Sequence, residues 1–70
     1  MDFREFIRQR RKEEGMTQQQ LALLAGVGLR FVRDVEQGKE SLRVDKVNAV
    51  LKLFGKKLGP VGLYEEEKAT

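Results

Sequence analysis

Cysteine, histidine and tryptophan are absent from this 70-residue chain, and proline and tyrosine occur once each. Without cysteine, neither a disulfide nor a thiolate metal site can staple the fold. Without histidine, the usual general base and the commonest metal ligand are missing. One tyrosine and no tryptophan leave little material for a deep pocket, so an enzyme is the least expected class and no cofactor or metal is expected. No run is long and apolar enough to span a bilayer, and the first five residues, Met1 to Glu5, lack a signal peptide's apolar core. The expectation is a cytoplasmic protein with no membrane partner.

What is present is mostly charge and short apolar stripes. A chain of this length is one small domain near the lower limit for a self-sufficient core, and such chains commonly gain stability from a second copy. The net charge is +3, but Glu65, Glu66 and Glu67 stand together, so residues 1–64 carry +5. A basic body with an acidic tail suits a polyanionic partner. On charge alone, a merely solubilising surface fits equally well.

Local signals predict four helices. Phe3, Phe6, Ile7, Arg10 and Arg11 follow an amphipathic spacing, with Asp2 and Glu5 arranged as a capping box and Gly15 as a stop. Thr17 and Gln20 form a second capping box before Leu21, Leu24 and Ala25, the apolar stripe of a helix ended by Gly26. A third helix runs from about Gly28 to Glu36 and ends at Gly38. After a loop from Lys39 to Arg43, the stripe Val44, Val47, Val50, Leu51 and Phe54 marks a fourth, closed by Gly55. Residues 56–64 contain Gly59, Pro60 and Gly62 and are no helix; an extended segment fits, restricted by Pro60 to an edge or a kinked strand. The division is therefore a body over 1–55, a C-terminal dimerisation segment over 56–64, and an acidic tail over 65–70 that is expected to fray.

Residues 18–37 carry the functional signal. Two short helices joined by a very short turn must cross steeply, as in a helix-turn-helix. The crossing needs a small residue at the contact (Ala22), a turn residue tolerant of positive φ (Gly26), and apolar groups in the inner angle, here Leu21, Ala25, Val27, Val32 and Val35.

Arg11, Gly15 to Gln18, Leu21-Ala22, Ala25 to Val27, Val32, Val35-Glu36 and Gly38-Lys39 resemble the Cro/C1, or xenobiotic-response-element, type of helix-turn-helix regulators. The resemblance covers about residues 3–55 and implies an all-α, compact four-helix, lambda-repressor-like domain. Relatives often add a short strand at the dimer interface, and Gly59 to Gly62 interrupt that segment here. Within the family, Arg30 to Val32, Val35 to Lys39, Leu42 to Val47 and Val50-Leu51 are similar to Hip-type antitoxins, the DNA-binding partners of kinase-like toxins.

The resemblance implies roles by position. Leu29, Arg30, Arg33 and Asp34 stand where relatives read bases. Arg30 suits the bidentate contact to guanine and Leu29 a thymine methyl, while Arg33 has a phosphate open to it. Asp34 has two roles open, accepting from a cytosine amine or orienting an arginine. Phe31 either wedges toward DNA or packs beside the next helix. Gln18, Gln37, Lys39 and Arg43 are the expected phosphate contacts, with Arg43 standing where many relatives have a capping serine. Arg11 and Glu36 are an expected structural ion pair.

One recognition helix reads only about five base pairs, so a homodimer on palindromic double-stranded DNA is expected. Val50, Leu53, Phe54, Leu58, Leu63 and Tyr64 are the candidate dimer surface. The functional expectation is an antitoxin that represses its own operon and pairs with a kinase-like toxin. A phage repressor, a restriction–modification controller or a protein-interaction module with little DNA binding are the alternatives.

Overall fold

The first two helices begin where their unpaired backbone N–H groups find a substitute partner. In the computed structural model, residues 2–59 are described with their side chains and 62–65 by their backbone alone. The Asp2 carboxylate accepts from the N–H groups of Arg4 and Glu5, at 2.8 and 3.0 Å, and starts α1 (Phe3–Glu13). The Thr17 hydroxyl accepts from the Gln20 N–H at 3.0 Å while the Gln20 side chain accepts from the Thr17 N–H at 2.8 Å, which starts α2 (Gln18–Ala25) with the expected box. The next two helices, α3 (Leu29–Glu36) and α4 (Val44–Lys52), follow Gly28 and Arg43 without a side-chain cap.

The ends of α1, α2 and α3 share one closure. The N–H of Met16, Val27 or Lys39 reaches back five residues to the carbonyl of Arg11, Ala22 or Asp34, each at 3.0 Å. That closure needs a left-handed residue just before the donor. Gly26 supplies it with φ of 71°, and the space where a Cβ would sit is empty. Torsion, not crowding, therefore demands glycine at this turn.

The helices enclose one core of Ile7, Leu21, Ala22, Val32, Val35, Val47, Val50 and Leu51. Helix α2 packs against α3, and Ala22 is 3% exposed within the shared core, in keeping with the small residue expected there. Its burial also fixes how α2 is rotated. With about 100° per residue, a face holding Leu21, Ala22 and Ala25 turns Leu24 outward. The expected stripe is corrected accordingly, since Leu24 is 64% exposed. Val44, expected in the α4 stripe, is also exposed, as the first residue of that helix at the rim of the core.

Residues after α4 form a hairpin within the chain. The strand β1 (Lys56–Gly59) pairs antiparallel with β2 (Gly62–Glu65), setting Leu58 opposite Leu63 and Gly59 opposite Gly62. Pro60 falls between the strands and lies, with Val61, outside the described residues. Asn48 fastens β1 to α4: its Oδ1 accepts from the Leu58 N–H at 2.6 Å and its Nδ2 donates to the Leu58 carbonyl at 3.5 Å. Of the expected frayed tail, Glu65 belongs to β2 and 66–70 lie outside the described residues.

Candidate nucleic-acid interface

Helix α3 sorts its side chains by period. Val32 and Val35 are buried, and Phe31 packs against the core with the Lys46 ammonium of α4 6.0 Å from its ring centroid. Of the two roles open to Phe31, the structure has it packing. Arg30 and Arg33 project into solvent and have no intramolecular partner among the described residues. Leu29 is half-buried at the helix start, and Gln37 is exposed at its C-terminal cap. One face of α3 thus offers two unpaired guanidinium groups beside an apolar side chain. Asp34 differs, because its carboxylate accepts from Lys39 Nζ at 3.5 Å. Its partner within the chain is a lysine and not an arginine.

Arg11 and Glu36 form the ion pair expected of them, part-buried between α1 and α3. Arg11 Nε and Nη2 donate to the two carboxylate oxygens at 2.7 and 2.9 Å, with side chains 12% and 5% exposed. Arg11 Nη1 also donates to the Met16 carbonyl at 2.8 Å, so one guanidinium ties α1, the loop before α2 and α3 together. Burial pushes the Glu36 carboxyl upward. Hydrogen bonds from Arg11 and Gln18, with the charges of Arg11 and Arg8, outweigh it and hold the group below its ordinary value. The hydrogen bond to Glu36 likewise raises Arg11, against its burial.

The other expected phosphate contacts are engaged in different ways. Gln18 Nε2 donates to Glu36 Oε1 at 3.2 Å. Arg43 makes a two-pronged contact with Asp45, at 3.1 and 2.7 Å, and this hydrogen bonding holds the exposed Asp45 carboxyl below its usual value. Lys39 gives its carbonyl to Arg4 Nη2 at 2.7 Å. Arg4 has no place among the sequence expectations, yet it pins the loop after α3 to α1 while stacking 4.5 Å from the Phe3 ring centroid. The available signal was its spacing, since Arg4, Arg8 and Arg11 recur at i, i+4 and i+7 along one side of α1.

The candidate dimer surface needs correction. Val50 is 1% exposed and belongs to the chain's own core, so it cannot face a partner. Phe54 packs edge-on to Phe6, with centroids 6.1 Å apart at 80°, and Arg10 lies 5.4 Å from its ring. Leu58 is half-buried under the Asn48 clasp. Leu53 is 44% exposed, and the side chains of Leu63 and Tyr64 lie outside the described residues. Among the described residues, the most exposed large apolar side chains are instead Leu23 and Leu24, on the outer face of α2.

Among the described residues, no cluster of three or more Asp or Glu side chains could hold a metal ion, and no helix is long and apolar enough to cross a membrane. The chain is 49% identical over 45 residues to an uncharacterized HTH-type transcriptional regulator, y4mF, of Sinorhizobium fredii. That match covers 64% of this chain and 59% of the relative. A family model described as helix-turn-helix matches residues 7–61. Together with the packing of α2 on α3 across the short turn at Gly26, this match over most of the sequence means that the chain belongs to the helix-turn-helix family.

Proposed function

We propose that the protein is a transcriptional regulator that binds a palindromic DNA duplex as a homodimer. The observation that carries this reading is the outward face of α3, where Arg30 and Arg33 stand exposed and unpaired among the described residues while Val32 and Val35 anchor the helix behind them. Arginines with no internal partner, held on a rigid element, suit guanine edges and phosphates in a major groove. In this reading Leu29, Arg30 and Arg33 meet bases, Asp34 is the fourth residue at the reading face, and Gln18, Gln37, Lys39 and Arg43 meet the backbone. The similarity to Hip-type antitoxins supports a finer reading, in which the dimer represses its own operon and is bound by a kinase-like toxin.

Fluorescence anisotropy across a salt series tests the DNA reading. Neutralised phosphates release counterions, so affinity for a palindromic duplex falls steeply with salt. A flat salt dependence, or equal affinity for random duplex, would remove it. In that event the exposed Leu23, Leu24 and Leu53 favour a protein-interaction module instead.

A further inference from the structure

The reading above gives Gln18 a DNA phosphate, and the structure gives the same side chain a second partner. Gln18 Nε2 lies 3.2 Å from Oε1 of Glu36, a carboxylate already held by two hydrogen bonds from Arg11. An ionised carboxylate can only accept, so the amide must turn its NH2 group, and not its oxygen, toward Glu36. The orientation of Gln18 is therefore chemically fixed. One of the two N–H bonds on that nitrogen is used, and the other is left for a ligand.

The surroundings make that second N–H useful. The Thr17–Gln20 box satisfies two of the four N–H groups at the start of α2, leaving those of Gln18 and Gln19. Glu36 also has its charge balanced by Arg11, so a carboxylate so near the expected path of DNA does not repel it strongly.

We propose that Glu36 is a positioning residue for the Gln18 phosphate contact. It aims the free N–H of Gln18 at the same phosphate as the first-turn N–H groups of α2. Because Glu36 sits at the end of α3, it also locks that backbone contact in register with the reading helix. This inference rests on the DNA-binding reading.

The test measures binding of the wild type, Glu36→Gln, Gln18→Met and the double variant to a palindromic duplex. Each is then measured on a set of duplexes in which successive phosphates of the half-site are replaced by neutral methylphosphonate. Glu36→Gln keeps an acceptor for Arg11 but lets the Gln18 amide turn over, and affinity should fall about tenfold, the scale of one charge-assisted hydrogen bond. Gln18→Met should lose at least as much, and the double variant no more than Gln18→Met alone. At one methylphosphonate position, both single losses should vanish together.

Gln18→Asn, too short to reach Glu36 and a phosphate at once, leaves the Arg11–Glu36 pair untouched and should match the Glu36→Gln loss, which guards against a folding defect. Losses that multiply in the double variant, or a Glu36→Gln loss that persists on every methylphosphonate duplex, overturn the proposal and leave Glu36 purely structural. A wild type that binds no duplex overturns the DNA reading itself, and is recognised before any variant is compared.

Discussion

Arg30 and Arg11 are the same side chain with opposite amounts of bonding left to give. Arg11 spends its donors on Glu36 and on the Met16 carbonyl, inside the protein. Arg30 has no internal partner among the described residues, so its donors stay available. Arg30→Ala is therefore expected to leave the melting temperature nearly unchanged. It should relax base preference at one symmetric pair of positions, at about 1–3 kcal/mol per contact, read out by selection from a randomised duplex library. Uniform weakening on all sequences would make Arg30 a phosphate contact. Arg11→Met acts on the fold, because it strands a carboxylate that is only 5% exposed, and should cost about 3–5 kcal/mol by urea denaturation.

The same pair sets an acid dependence. The folded Glu36 carboxyl lies below its ordinary value of 4.5, so the unfolded chain takes up that proton first as the pH falls. The contribution is therefore complete above about pH 4.5 and is lost as the pH drops through the lower folded value. Glu36→Gln should flatten this part of the stability–pH curve. An unchanged acid limb between variant and wild type would assign the acid sensitivity to other carboxylates.

At the level of the element, the sequence disclosed what is decided locally. Asp2, Thr17 and the glycines at 15, 26 and 38 fix helix ends through contacts only a few residues long, and those ends fall where these residues predict them, whereas α4 stops at Lys52 and leaves Phe54, expected in its stripe, in the turn before Gly55. The Arg11–Glu36 pair was legible from family resemblance, although its partners are far apart in sequence. The misreadings lie where rotation or distant pairing decides. Leu24 fits an apolar stripe until Ala22 is known to be buried, and Val50 fits a surplus of apolar groups until the core is assembled around it. The hairpin was hidden because Pro60 reads as a defect within a strand when the strands lie on either side of it.

Asn48 was missed for a related reason. It is a polar residue on the side of α4 that holds Leu51, and its role depends on a backbone ten residues away. Asn48→Ala should strip the acceptor from the half-buried Leu58 N–H and cost about 1–3 kcal/mol in thermal unfolding, with faster hydrogen exchange at Leu58. Asn48→Asp keeps the Oδ1 acceptor and should restore protection at that amide. Equal exchange at Leu58 in all three proteins would show that the clasp is not formed in solution.

For the whole molecule, the proposed homodimer must be reconciled with a hairpin that closes on itself. Asn48 binds both the N–H and the carbonyl of Leu58, so these groups point away from β2. By the alternation of an antiparallel ladder, Leu58 and Leu63 are then a non-hydrogen-bonded pair. The N–H and carbonyl of Leu63 consequently point to the outer edge of β2. One edge of the two-stranded sheet is covered by α4, and the other, on β2, has no partner strand among the described residues. An open edge of this kind pairs readily with its own copy across a two-fold axis, and the exposed Leu53 supplies apolar area on the segment leading into β1.

Leu63→Pro discriminates between the possible interfaces, because proline removes an outward N–H while sparing the ladder bonds within the hairpin. Sedimentation of this variant should show a monomer that keeps its helical circular dichroism and loses most of its affinity for a palindrome. Cutting the chain after Gly55 should give the same loss of association, with lower stability because Asn48 and the core lose Leu58. A tight dimer in both variants would move the interface off the hairpin and onto the helical body, where Leu23, Leu24, Val44 and Leu53 are exposed apolar side chains able to form it.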